Sequence, residues 1–107
     1  MFTFNNNVIP TDCEPGVQRK VLCYSENLMM CEISFKKGSK GNFHKHPHEQ
    51  ITYIAKGSFE FTIGDETKIV NQGDSVYMPS DVTHGVTCLE DGILCDVFTP
   101  MRQDFLK

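Results

Sequence analysis

Three histidines and one glutamine in this chain are spaced as the ligands of a single cation would be. His44 and His46 are separated by one residue, Gln50 follows after three more, and His84 lies far along the chain. All four histidines fall in two windows, Gly38 to Gly57 and Gly73 to His84. On an extended strand His44 and His46 point to the same face. His48 has the same parity, but Pro47 interrupts a strand ladder, so His48 is expected at the rim rather than on the ion. Three neutral imidazoles and one amide oxygen suit a divalent first-row metal such as Mn, Fe, Co, Ni, Cu or Zn. The set adds no negative charge, so the ion keeps its full charge and is a stronger Lewis acid than with a carboxylate ligand. A bare His-x-His pair fits an exposed polar face equally well, with His84 as a structural histidine. The added spacings to Gln50 and His84 turn the reading toward metal.

These residues need a scaffold that brings distant segments together. The sequence shows short strand-like runs separated by turn residues, with no helix-length periodicity. Strands are predicted at 20–24, 28–35, 50–55, 58–63, 67–70, 75–78, 84–89 and 93–99. Phe59, Phe61 and Ile63 should face one side, Glu60 and Thr62 the other. Turns are predicted at Gly64-Asp65-Glu66, 71–74, 79–81 and 90–92, a loop at 36–41, and a single helical turn in the tail from Pro100 to Lys107. Many short strands at near-regular spacing indicate an all-β sandwich or barrel whose interior can hold a small ligand. Tyr53, Met78, Phe59 and Phe61 read as barrel-lining or core residues. Glu49, of opposite parity to Gln50, should point away from the metal.

The chain has 107 residues, enough for one domain over 1–107, and 39% of them are hydrophobic. A net charge of −4 argues against a nucleic-acid partner, and the scattered lysines and arginines form no membrane-surface patch. No stretch approaches the ~20 apolar residues of a membrane span. The N-terminus lacks the basic and apolar regions of a signal peptide, so a cytoplasmic location is expected. The five cysteines, an odd number without a Cys-x-x-Cys pair, read as small buried apolar residues in a reducing compartment.

The two windows resemble the motifs of the cupin superfamily. The first cupin motif, Gly-x5-His-x-His-x3-4-Glu-x6-Gly, is matched by Gly38-x5-His44-x-His46-x3-Gln50-x6-Gly57. The second, Gly-x5-Pro-x-Gly-x2-His-x3-Asn, is matched by Gly73-x5-Pro79-x-Asp81-x2-His84-x3-Cys88. Gln50, Asp81 and Cys88 depart from the pattern. Gln50 in place of the glutamate argues against a carboxylate-assisted oxygenase, while the other two bear on local geometry. The resemblance implies a single-domain jelly-roll barrel (a double-stranded β-helix). The tail Asp96-Val-Phe98-Thr-Pro100-Met-Arg102-Gln-Asp104-Phe105-Leu106 further resembles the pectin-degradation, KdgF-like cupins, with Met101 and Gln103 as departures. That narrower resemblance implies an enzyme that opens 4,5-unsaturated uronic acids into linear keto forms. It also implies a small anionic sugar acid as substrate and, from the family habit of pairing sheets, a homodimer.

For such a reaction Asp96 is the candidate general acid/base, because it shares a strand face with Phe98 inside an apolar run. A solvated strand carboxylate or turn cap is its alternative. Phe98 would pack against the sugar face or serve as core. Arg102 would bind a carboxylate through two parallel hydrogen bonds, or be an ordinary surface arginine. Three other functions fit the same scaffold: a metal-dependent dioxygenase, a non-catalytic sugar-acid-binding module, and an isomerase of phosphorylated sugars. The last lacks a Gly-rich phosphate cradle or a Lys/Arg cluster.

Overall fold

A computed structural model describes residues 1–106. Its eight strands are β1 (Thr11–Asp12), β2 (Val17–Tyr24), β3 (Met29–Phe35), β4 (Lys40–His44), β5 (Glu49–Ile63), β6 (Glu66–Asn71), β7 (Ser75–Met78) and β8 (His84–Thr99). Single 3-10 turns occur at Asn5–Asn7 and Gln103–Leu106. The predicted tail turn is therefore present, and its last residue, Lys107, lies outside the described residues. Among the described residues no helix is long and apolar enough to cross a membrane.

All pairings are antiparallel, in the order β1-β2-β3-β8-β5-β6, with β4 also on β8 and β7 also on β5. The two long strands organise the barrel. The first half of β5 pairs with β7 and the second half of β8, and the second half of β5 pairs with β6 and the first half of β8. Each long strand thus serves both walls.

The sequence suggested a break at Lys56-Gly57 and a turn at 90–92, yet both strands run through. The register slips three times between Ile54 and Phe59, which is a bulge. The bulge shows in which residues are buried. Gln50, Thr52 and Ile54 face inward before it; Phe59 and Phe61 face inward after it. One extra residue has exchanged the faces. Gly57 has φ +86°, and a Cβ there would stand 2.6 Å from the Asp91 carbonyl oxygen. Glycine lets the two backbones cross at this bend. Strands β1 and β4 were not foreseen. β1 is only two residues long, and β4 carries no alternation of burial that a pattern could reveal.

The inward rungs form the core. Met29, Phe98, Gln50 and Met78 stand in register across β3, β8, β5 and β7. The next rung is Cys31, Asp96, Thr52 and Val76, and the third Ile33, Leu94 and Ile54. Polar Gln50, Thr52 and Asp96 therefore sit in apolar layers, all buried. Phe59, Phe61 and Met78 are core, as expected, but Tyr53 lies on the outer face and is 50% exposed. Of the cysteines, all free, Cys31 and Cys88 are buried, whereas Cys13 and Cys23 are exposed, contrary to the expectation of burial. Asp81 adopts φ +63° where the motif carries glycine, a conformation that aspartate tolerates better than most residues.

Gly57→Ala should lower the unfolding free energy by about 2–4 kcal/mol, since both backbone conformation and space oppose it. Gly38→Ala has a similar φ of +86° but nothing within 4 Å of the new Cβ, and should cost only about 1 kcal/mol. Urea denaturation of the two variants reads the difference; equal losses would contradict the crossing-strand account.

Candidate functional site

His44 is the last residue of β4 and His84 the first of β8, and the two are register partners. His46 lies just beyond β4, in the loop that leads to β5. β4 therefore ends too early for His44 and His46 to share a strand face as expected, yet the rings meet. Ring centroids are 4.5 Å apart for His44–His84, 5.0 Å for His46–His84 and 5.6 Å for His44–His46. One nitrogen from each lies within 4.8 Å of the other two, an arrangement that can hold a metal ion.

The backbone fixes the tautomer of all three rings. Nδ1 of His44 lies 2.7 Å from the Asn42 carbonyl, Nδ1 of His46 lies 3.0 Å from that of His48, and Nδ1 of His84 lies 3.0 Å from that of Val82. A carbonyl only accepts, so each Nδ1 carries the proton and each Nε2 presents a lone pair. Burial holds the His46 imidazolium below its usual range and pushes His84 down to about 4, so both rings are neutral near pH 7.

Gln50 completes the group. Its Nε2 donates to Thr52 Oγ1 at 3.0 Å, and that hydroxyl donates to Asp96 Oδ1 at 2.6 Å. This chain turns the amide so that Oε1 faces His46 Nε2 at 3.0 Å. Two lone-pair atoms therefore confront each other with no proton between them, which a cation resolves. Two ligand atoms each about 2.1 Å from an ion and at right angles to each other lie about 3.0 Å apart, so the donor set fits a first-row metal.

Asp96 and Phe98 are both buried and both line a cavity of about 540 Å³, together with His44, His84, Gln50 and Arg102. Burial pushes the Asp96 carboxyl up to about 6, although hydrogen bonds from Thr52 and Gln50 pull the other way. Phe98 meets His46 edge to face at 5.7 Å and Phe105 in the same way at 5.7 Å. Arg102 is held by Asp104 through Nε (3.1 Å) and Nη2 (2.9 Å), and its guanidinium lies 4.2 Å from the Phe105 ring centre. His48 stands aside from the three-histidine cluster, its Nε2 3.2 Å from the Met101 carbonyl. Glu49 points away as expected and accepts from Tyr77 Oη. The Cys31 thiol is pushed up to about 12, by burial and then by the Asp96 charge, so it stays protonated.

Two further residues stand at the site without a motif that marks them. Thr52 joins Gln50 to Asp96; its signal was its parity with Gln50 on one strand. Arg19 lines the cavity from β2, alternating with inward Val17, but the predicted strand began one residue too late to include it.

Residues 31–98 match the profile of the Cupin domain family. Over 93 residues the chain is 45% identical to the pectin degradation protein KdgF of Dickeya dadantii (strain 3937), covering 85% of this chain and 84% of that protein. The solved structure of KdgF from Halomonas sp. superposes with a TM-score of 0.94 at 34% identity, covering 98% of this chain and 97% of that one. An RmlC-like cupin from Shewanella frigidimarina superposes with a TM-score of 0.93 at 36% identity, covering 97% of this chain and 94% of that one.

Metal-free protein should show two opposed acid responses. His84, neutral in the fold down to about pH 4, stabilises fully above its ordinary 6.5 and loses that contribution as pH falls toward 4. Asp96, protonated in the fold up to about pH 6, stabilises below its ordinary 3.8 and loses that contribution as pH rises toward 6. Asp96→Asn removes only the second, so its stability relative to wild type should climb between pH 4 and 6. Urea titrations of the metal-free proteins across this range read it; a constant difference would mean an ordinary aspartate.

Proposed function

The chain belongs to the cupin family, and we propose that it opens 4,5-unsaturated monouronates from pectin or alginate breakdown into linear keto acids, using a divalent first-row metal. The similarity to KdgF across most of both chains supports this reading. The observation that carries it within the molecule is the buried run Gln50–Thr52–Asp96, which ties a carboxyl titrating near neutrality to the three-histidine cluster in one cavity.

The reaction is an isomerisation. The C1–O5 hemiacetal bond breaks, C1 becomes an aldehyde, C4 gains a proton, and C5 becomes a ketone. His44, His46, His84 and Gln50 would hold the ion. When bound, it supplies Lewis acidity that stabilises negative charge developing on the enol oxygen. Asp96 does the proton work: as carboxylate it takes the proton of the anomeric hydroxyl, and as acid it delivers one to C4. A carboxyl with a pKa of about 6 is matched to both tasks at neutral pH. Thr52 donates to Oδ1 and holds the carboxyl at the cavity wall. Phe98 walls the cavity beside His46 and restricts water. The cavity is of a size that takes one sugar ring.

The same reading makes the protein one cytoplasmic cupin domain acting as a homodimer. The outer sheet face supports pairing. Ile51 and Tyr77 are register partners, Tyr53 lies two residues along, and all three are about half exposed. Such a patch suits a second copy of the same face.

Metal-loaded protein mixed with 4,5-unsaturated galacturonate should speed loss of the double-bond absorbance over buffer; no acceleration would exclude the reading. Asp96→Asn should lower kcat by about 10²–10⁴-fold with metal content intact by elemental analysis. Unchanged turnover would remove Asp96 from its role.

A further inference from the structure

The cavity contains two arginines, and their surroundings differ. Arg102 is neutralised by the bidentate contact with Asp104. Arg19 has no such partner among the described residues. Its Nε is fully covered and makes no hydrogen bond, and its Nη1 reaches only the Cys13 thiol, a weak acceptor, at 3.6 Å. Asp12 and Glu14 stand at the same cavity, yet neither forms an ion pair with it.

Arg19 belongs to the inward face of β2, opposite Ile33, in the apolar rung that Leu94 and Ile54 continue. Its guanidinium carbon lies 3.7 Å from the centre of the Phe105 ring. Such stacking fixes the plane of the guanidinium but leaves its in-plane donors unused. A half-buried cation whose Nε is cut off from water is costly unless something anionic joins it. Here the open side is the cavity that also holds Asp96 and the three-histidine cluster.

We propose that Arg19 is the residue that binds the carboxylate of the sugar acid, while Arg102, already paired with Asp104, braces Phe105 and Phe98. This inference rests on the uronate reading above. It differs from the expectation that Arg102 grips the substrate. The fork of Arg19 matches a planar carboxylate, and the ion pair forms where little water screens it. Arg19 thereby sets the choice of acid over neutral sugar and orients the ring toward Asp96.

The test compares galacturonate with its neutral amide by calorimetry on metal-loaded protein, and follows turnover of the unsaturated substrate in parallel. Wild type should favour the acid at least 10-fold. In Arg19→Gln the preference should fall to about 3-fold or less, with KM raised at least 10-fold and kcat changed far less. Arg19→Lys should recover part of the preference. If Arg19→Gln fails to fold, Arg19→Met, which keeps an unbranched stem against Phe105, is read by the same criterion. A preference that survives loss of the guanidinium overturns the proposal. The binding arm needs no turnover, so it reads Arg19 even if the unsaturated substrate is not converted. That failure would count against the ring-opening reading alone.

Discussion

Everything at this site depends on three Nδ1–H groups being held by backbone carbonyls. Asn42, His48 and Val82 each present a carbonyl to a histidine two residues away. Local chain geometry, not a distant partner, thus decides which nitrogen is free. Once the three lone pairs are fixed inward, the Gln50 oxygen faces one of them, and the remaining amide hydrogens run outward through Thr52 to Asp96. The Asp96 carboxyl and the three-histidine cluster are therefore joined by one hydrogen-bonded path, and each constrains the geometry of the other.

The scaffold makes that path possible through strands that serve two walls. Gln50 and Thr52 come from the first half of β5, and Asp96 from the second half of β8, paired directly with Thr52. His84 comes from the opposite end of β8 and pairs with His44. A straight strand could not offer both ends to one cavity. The crossing of β5 over β8 at Gly57 bends the frame, and the bulge there resets which residues look inward. The buried polar layer is tolerated because its members satisfy one another.

Much of this was legible in the chain. The spacings of His44, His46, Gln50 and His84 named the cluster, and parity placed Asp96 beside Phe98 and turned Glu49 outward. What sequence concealed has physical causes. Continuity through Gly57 and Gly92 was hidden because glycine marks a chain end and a tight crossing equally well. Outward Tyr53 was misjudged because a two-residue period tells which residues share a face but not which face is wet. Arg19 was passed over because a charged residue in an apolar rung reads as a strand boundary. Its unpaired state is a property of neighbours that only three dimensions supply. The pairing of Arg102 with Asp104, two residues apart, was adjacent in sequence yet still required knowledge of the tail's turn.

The three imidazoles are not equally sheltered: His46 and His84 are buried, whereas His44 is exposed. This inequality bears on exchange kinetics. Dissociation of any bound ion would begin at the solvent side, beside the exposed His44 ring, where water or a competing chelator has access. All three rings, locked by their carbonyls, would keep the receptor's shape through the departure. Reloading would then be a recapture by a preformed receptor rather than a refolding event, and the speed of swapping one ion for another would be governed by solvent access on the His44 side.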